Sequence, residues 1–252
     1  MDSMVTAVQT IGVIQARIGS DRLHAKVLAP LVEGQPLLSA LCQRLSSASI
    51  EWWLATTDQR ADDVTAAWGR ELGLNVYRGD EHDVLSRFAA IASSMTCEWI
   101  VRVTADDPFV DGSTVQRLAE AVNSAPDDVD IIGDLPSNRH FPLGYLPQIV
   151  RSAALLRLQR DLPSDDYHRA HVTSALIPHR AAPYRDARLP ARPRWRWTVD
   201  TLEDLQMAQA AFSTIGPEWK HAEYVDFVQL LDARPDIVAI NRHVRQKALK
   251  DG

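Results

Sequence analysis

Cysteine is scarce in this chain: Cys42 and Cys97 are the two in 252 residues. They form neither a C-x-x-C pair nor a disulfide framework, and both sit in apolar segments where small buried thiols are common. No apolar run approaches the length needed to span a bilayer, and Met1 to Thr10 carries no basic patch ahead of an apolar stretch. Neither a membrane anchor nor a signal peptide is therefore expected, and the expected location is the cytoplasm. Positive charge is in deficit, with 27 Lys and Arg against 33 Asp and Glu and a formal net charge of -6. An acidic surface repels nucleic acid and anionic membranes, which excludes a general binder of either. The Walker pattern G-x4-GK-[ST] and the G-x-G-x-x-G fingerprint are both missing, so neither a P-loop hydrolase nor a dinucleotide-binding reading applies.

What the chain does have is an alternation of buried strands and amphipathic helices. Ile11 to Ala16 reads as a strand and Pro36 to Ala48 as a helix with Leu37, Leu38, Leu41 and Leu45 on one stripe. The pattern continues through strand Trp52 to Thr56, helix Asp62 to Leu72, strand Asn75 to Tyr77, helix Asp83 to Ser93, strand Trp99 to Thr104, helix Ser113 to Asn123 and strand Asp130 to Ile132. Such alternation predicts a single α/β domain over residues 1–252, with a mostly parallel central sheet covered by helices on both faces in three layers.

From about Asp134 the composition turns rich in Pro, Arg and His. Helices are expected at Ser152 to Asp161 and Asp166 to Ile177, and residues 134–183 are expected to form an arm, a lid or a dimer contact. Trp195 to Val199 reads as a last strand rejoining the sheet, with Trp195 and Trp197 packing on one of its faces. The helix Leu202 to Phe212 follows, capped by Thr201 with Asp204 three residues on.

Ligands of such sheets bind beyond the carboxyl ends of the strands. Three polar clusters fall there: Arg17 to Lys26, Arg78 to Asp83, and Asp106-Asp107. In the first, QARIGSDRLHAK, Arg17, Arg22 and Lys26 supply cations, Gly19 and Ser20 allow close backbone approach, and Ser20 adds a hydroxyl. Amides and guanidinium groups after a strand are a common way to replace the hydration of phosphates. The competing reading is a solvated loop whose cations pair with nearby carboxylates.

QARIGSDRLHAKVLAPL resembles the nucleotide-binding signature of the cytidylyltransferases related to spore coat polysaccharide biosynthesis protein F, which are themselves related to the synthetases of CMP-linked sugar acids. VYRGDEHDVLSRF, IVRVTADDPFVD, YHRAHVTSALI and RWTVDTLEDL match the same family in the same order. The resemblance implies a Rossmann-like nucleotide-diphospho-sugar transferase fold and a reaction in which an acceptor oxygen attacks the α-phosphate of CTP and pyrophosphate leaves. It implies that Arg17, Arg22 and Lys26 are catalytic cations. It further implies that Ala16, Gly19, Ser20, Arg78, Gly79, Asp83 and Thr104 complete the nucleotide site, and that the chain forms a homodimer through residues 134–183.

Asp106 and Asp200 each follow a Thr-x pair at the end of an apolar stretch, in VRVTADD and RWTVD. They are the candidate ligands of Mg2+, which accepts a few carboxylates together with phosphate oxygens and water. The competing readings are an Asp-rich turn for Asp106-Asp107-Pro108 and a helix cap for Asp200. Asp83 equally suits the start of a helix.

Two stretches depart from the family. His24-Ala25 stands where relatives have Pro-Gly before the loop lysine. FPLGYLPQIV stands where they carry a stretch like PRG-LDVEV, so that Leu143, Leu146 and Gln148 occupy the positions of an arginine and two carboxylates. Losing two carboxylates shifts the acceptor region towards anions. Arg139, His140, His168, Arg169, His171 and Arg196 are the candidate acceptor contacts. His168 and His171 lie at i, i+3 with no third ligand apparent, which argues against a zinc site. The expected activity is transfer of CMP from CTP to a small anionic acceptor: a sugar acid, a phosphate or a phosphonate. The alternatives left open are a metal-dependent glycosyltransferase of similar fold using a sugar nucleotide, and a non-catalytic nucleotide-binding module.

Overall fold

The computed structural model describes residues 9–20 and 22–247; most of the stretch examined for a leader, residues 1–8, lies outside them. The first half alternates as the apolar pattern dictates. Its elements are β1 (Thr10–Gln15), β2 (Pro30–Val32), β3 (Gln35–Pro36), α1 (Leu37–Leu45), β4 (Glu51–Thr57), α2 (Asp63–Glu71), β5 (Asn75–Gly79), α3 (Val84–Ser94), β6 (Trp99–Thr104) and α4 (Gly112–Ala121). The second half comprises β7 (Ile131–Gly133), β8 (Gln148–Arg151), α5 (Ser152–Asp161), α6 (His168–His171), α7 (Ile177–Arg180), β9 (Ala181–Pro183), α8 (Leu202–Ile215), α9 (Tyr224–Ala233) and α10 (Pro235–Ala239).

Seven strands form one sheet in the order β5-β4-β1-β6-β8-β7-β9. β5, β4, β1 and β6 are mutually parallel, β8 runs antiparallel to both β6 and β7, and β9 is parallel to β7. The carboxyl ends of the four parallel strands therefore share one rim. β2 and β3 make a small separate ladder that the sequence pattern did not announce.

The two faces of the sheet carry separate apolar clusters. One contains Ile14, Leu54, Val101, Val103, Phe109 and Trp197; the other contains Val13, Ala55, Phe88, Ile100, Val150 and Val172. The alternation of β6 between them follows from the two-residue period of a strand. In the first cluster Phe109 stacks on Trp197 at 4.7 Å and meets Phe227 edge-on at 5.0 Å. Arg44 is fully buried there; it donates to the carbonyls of Phe109 and Val110 and lies 5.0 Å from the Phe227 ring. That guanidinium pins the loop that follows Asp106 and Asp107. Cys97 Sγ lies 3.3 Å from Ser152 Oγ, and burial pushes the thiol of Cys42 up to about 12. Among the described residues no helix is long and apolar enough to cross a membrane.

Two expected elements are corrected. Trp195 to Val199 is not a sheet strand; it makes a single parallel bridge between Leu143 and Arg196. Its backbone pairs instead with the Leu143-Gly144 turn, because the amides of Trp197 and Thr198 both donate to Leu143 O, at 2.8 and 3.1 Å. Gly144 is at φ +85°, and a side chain there would meet Thr198 at 2.5 Å, so a glycine is required for this docking. The helix expected over Asp166 to Ile177 breaks after His171, where Val172 takes φ 60° and ψ -62°. A β-branched residue at positive φ cannot continue a helix.

Candidate active site

The loop after β1 is fixed from below. Ala16 N donates to Ala55 O at 3.2 Å, and Ile18 N donates to Asp62 Oδ1 at 2.7 Å. Asp62 is buried and also accepts from the hydroxyls of Thr57 and Thr65. Ala25 N closes the loop on Ile18 O at 3.1 Å. Ala25 itself adopts φ 55°, ψ 25°, and delivers the chain into a 3-10 turn over Lys26–Leu28. An L-residue in this left-handed conformation costs about 1–2 kcal/mol. Ala25→Gly is accordingly expected to stabilise the protein by about 1 kcal/mol, read as an increase in the urea midpoint without a change in slope.

Lys26 is buried, and its ammonium donates to Asp106 Oδ2 and, at 2.8 Å, to Asp200 Oδ1. Two long-range backbone hydrogen bonds and one local helix cap bring these groups together. Ala105 N donates to Gln15 O at 2.9 Å, continuing the β1–β6 ladder one residue past the strand. Val199 N donates to Asp106 O at 2.7 Å, which sets Asp200 beside Asp106. Thr201 then caps α8 in a reciprocal box with Asp204. The other oxygen of Asp200 receives Arg22 at 2.9 Å and Arg196 at 2.7 Å, while Arg196 Nε also binds Asp204 at 2.9 Å. Asp204 is fully buried and accepts from Asn241 at 2.9 Å.

Charges follow from this geometry. Burial alone would depress the Lys26 ammonium, but Asp106 and then Asp200 reverse the sign and hold its pKa above the ordinary lysine value. Burial works against ionisation of Asp200, and Lys26, Arg22 and Arg196 overcome it, so that its pKa lies below the usual carboxylate range. Asp107 behaves oppositely. Burial, with a smaller contribution from Asp106, pushes it up to about 8 despite hydrogen bonds from Thr104 and Thr198.

The other expected nucleotide residues divide by role. Arg17 is half-exposed and pairs with Glu81 at 3.3 Å, linking the first loop to the β5–α3 connection; a Cβ on Gly19 would stand 3.2 Å from Glu81 Oε1. Ser20 is half-buried in the same loop. Arg78 instead braces β5, binding Asp63 at 2.7 Å and the carbonyls of Thr57 and Gln59 at 2.9 Å. Gly79 accepts from Asp58 N at 2.9 Å. Asp83 caps α3 through Ser86 N at 2.9 Å, and its other oxygen accepts two bonds from Arg169. Ala16 is buried, and Thr104 places its hydroxyl on Asp107.

The candidate acceptor residues do not converge on one place. His140 Nε2 lies 3.0 Å from Leu189 O, and Arg139 is half-buried next to it. His168 Nδ1 lies 2.7 Å from Ser174 Oγ, and its ring is tilted against that of Tyr167 with the centroids 4.0 Å apart; the His171 ring stands 6.3 Å from the Tyr167 ring. Two of the six are paired inside the fold. Arg169 is buried against Asp83, Gln159 and Leu162 O, and Arg196 is buried behind Asp200. A guanidinium taken out of water needs carboxylate or carbonyl partners, and both have found them inside the fold.

Arg87 and Arg102 were not picked out from the sequence, and Asp107 and Asp204 were read there only as part of a polar cluster and of a helix cap. Arg87 is 1% exposed, and none of its three guanidinium nitrogens has a hydrogen-bond partner among the described residues. Arg102 stands between Val101 and Val103 in a strand with a buried face on either side, and that interruption was a legible signal.

Among the described residues no cluster of three or more His, Cys, Asp or Glu side chains is arranged to hold a metal ion. Asp106 and Asp200 nonetheless suit a hard cation that shares phosphate oxygens, because such an ion needs one or two carboxylates from the protein and not a closed cage.

A carboxylate pair, a buried lysine and two arginines gather beside the carboxyl ends of the parallel strands, and known proteins match this chain along most of its length. Spore coat polysaccharide biosynthesis protein SpsF of Bacillus subtilis is 31% identical over 235 residues, which cover 89% of this chain and 94% of that protein. Among solved structures, a cytidylyltransferase from Leptospira borgpetersenii superposes with a TM-score of 0.84 at 22% identity, covering 96% of this chain and 99% of that one. CMP:2-keto-3-deoxy-manno-octonic acid synthetase, solved in complex with CTP, superposes with a TM-score of 0.59 at 17% identity, covering 82% and 99%. The family profile described as cytidylyltransferase matches residues 11–192, which include the whole basic loop, both of its neighbouring clusters and Asp106. The chain belongs to the cytidylyltransferase family.

Proposed function

We propose that this protein transfers CMP from CTP to a small acceptor bearing an anionic group, with release of pyrophosphate and with Mg2+ as the metal. The observation that carries this reading is the joining of Lys26 to Asp106 and Asp200 at the strand ends, flanked by Arg22. In the transfer an acceptor oxygen forms a bond to the α-phosphorus, the bond from that phosphorus to the bridging oxygen breaks, and pyrophosphate leaves with the electron pair.

Charge grows on the phosphoryl oxygens during this step, and preorganised cations stabilise it most effectively in a site shielded from water. Lys26 and Arg22 are poised to shift from the carboxylates to the triphosphate, and the half-exposed Arg17 reaches it from the rim. Arg196 remains behind Asp200 and orients it. Asp106 and Asp200 are the residues that would hold Mg2+, which supplies neutralisation of the phosphates when bound. The buried Asp107 supports the turn through Thr104 and Thr198.

The reading is tested by CTP-dependent pyrophosphate release across hydroxy acids, phosphates and phosphonates, with ATP, GTP and UTP as controls. Pyrophosphate release requiring both CTP and an acceptor supports it. Release of a sugar nucleotide's diphosphate moiety without CTP turnover would favour a glycosyltransferase instead.

Homodimerisation through residues 134–183 belongs to the same proposal. Leu156 and Tyr167 in this segment are among the exposed large apolar side chains, at 38% and 44% exposure. Light scattering is expected to give twice the chain mass, and a strictly monomeric mass would count against the dimer.

A further inference from the structure

Three buried arginines elsewhere in the fold are bonded to carboxylates or to carbonyls, Arg169 to Asp83, Arg196 to Asp200 and Asp204, Arg44 to Phe109 O and Val110 O, and a fourth, Arg87, has no hydrogen-bond partner among the described residues. Arg102 is different. It lies on β6 opposite Gln148 of β8, with the parity of Ile100 and four residues ahead of Asp106. Its Nη2 donates to Gln15 Oε1 at 3.0 Å and its Nη1 to Gln148 Oε1 at 3.3 Å, both neutral amides. Its Nε is buried and has no hydrogen-bond partner among the described residues. The nearby aspartates are engaged elsewhere, Asp106 with Lys26 and Asp107 with Thr104.

A second feature points to the same place. Val172 holds φ 60° and ψ -62°, a conformation that is strained for a β-branched residue. That turn delivers the hydroxyl of Thr173 to Gln148 Oε1 at 2.6 Å. Gln15, Arg102, Gln148 and Thr173 thus form one polar group on the apolar face of the sheet that carries Val13 and Ile100. Arg102 is itself half-buried, and the group has a single positive charge with no bonded countercharge.

We propose that Arg102 is a specificity-determining residue that receives an oxyanion of the acceptor, carboxylate, phosphate or phosphonate, with the Thr173 hydroxyl beside it. Gln148 is the neutral element that leaves the guanidinium charge available. This rests on the cytidylyl-transfer reading and deepens it by assigning the acceptor's anionic group to a named residue, where the sequence had pointed to Arg139, His140, His168, Arg169, His171 and Arg196.

Calorimetry on the intact protein separates the two levels. CTP titrated in the presence of Mg2+ tests the parent reading. Methylphosphonate, inorganic phosphate and acetate titrated into the CTP-loaded protein test the inference and rank the three oxyanion types. At least one of them is expected to bind. Gln148→Glu places a carboxylate against Arg102 and is expected to weaken that binding about tenfold or more, the loss of one charge-assisted hydrogen bond. CTP affinity is expected to stay within about twofold, since the triphosphate contacts are elsewhere. Gln148→Met removes the amide without adding charge and is expected to weaken oxyanion binding at most about threefold. Equal effects of the two variants, or no oxyanion binding while CTP binds normally, would overturn the role of Arg102 and leave cytidylyl transfer standing. Failure of CTP itself to bind would remove both.

Discussion

Lys26→Ala is expected to lower kcat for CTP-dependent pyrophosphate release about 10²- to 10³-fold, the scale seen when one preorganised donor to a developing negative charge is removed. Lys26 is the group that both candidate metal carboxylates share. No neighbour replaces it, because Arg22 and Arg196 approach only Asp200 and Asp106 would keep no bonded cation. The same variant is expected to cost roughly 1–3 kcal/mol of stability through the loss of charged hydrogen bonds. The pH dependence follows from both ends. The lysine pKa is raised in the fold, so its contribution is complete below the unfolded value and is lost as pH rises through the folded one. The Asp200 pKa is lowered, so its contribution is complete above about pH 4, the ordinary carboxylate value, and is lost in more acidic solution. Wild type and Lys26→Ala should therefore differ most in urea unfolding near neutral pH and converge at both extremes.

Asp106→Asn has a different signature. It keeps the shape of the side chain and removes one of two candidate metal carboxylates, so the metal concentration for half-maximal activity is expected to rise about tenfold or more, with kcat falling as well. Its effect on folding is expected to be smaller than that of Lys26→Ala, because the Lys26 ammonium keeps its bond to Asp200 and the asparagine oxygen can still accept from it. Asp106 is one of the causes that raise Asp107, and without it that carboxyl should titrate lower than about 8. A metal titration, together with the carboxyl resonance of Asp107 followed by NMR, separates loss of a ligand from general damage. An unchanged metal requirement in this variant would remove Asp106 from the site.

The parts of this architecture that can be read from the sequence are those set by local physics. β6 and α5 lie where the apolar pattern places them, and the basic loop follows β1 because buried strands must end in a turn that returns to solvent. The Thr201 cap could be read from four consecutive residues. The residues that escaped are those whose partners are remote. Trp195 to Val199 has strand-like alternation, but its mates are Leu143 and Asp106 O, beyond the end of the sheet, and nothing in the alternation reveals that. Arg169 and Arg196 look like surface cations in sequence, and only the fold supplies the carboxylates that bury them. Val172 breaks a helical pattern through a backbone angle that no composition rule anticipates, in a segment where Thr173 is drawn to Gln148. Lys26 could be read either as a candidate phosphate-site cation or as one that pairs with carboxylates; that those carboxylates are Asp106 and Asp200 together could not.

The most direct test of the account is the release of pyrophosphate from CTP and Mg2+ by the wild-type protein with an acceptor panel of hydroxy acids, phosphates and phosphonates, run beside Lys26→Ala. The account predicts release that depends on CTP and on an anionic acceptor, with little from ATP, GTP or UTP, and its near-abolition in the variant. Tight CTP binding without pyrophosphate release from any of these acceptors, or equal release by Lys26→Ala, would contradict it.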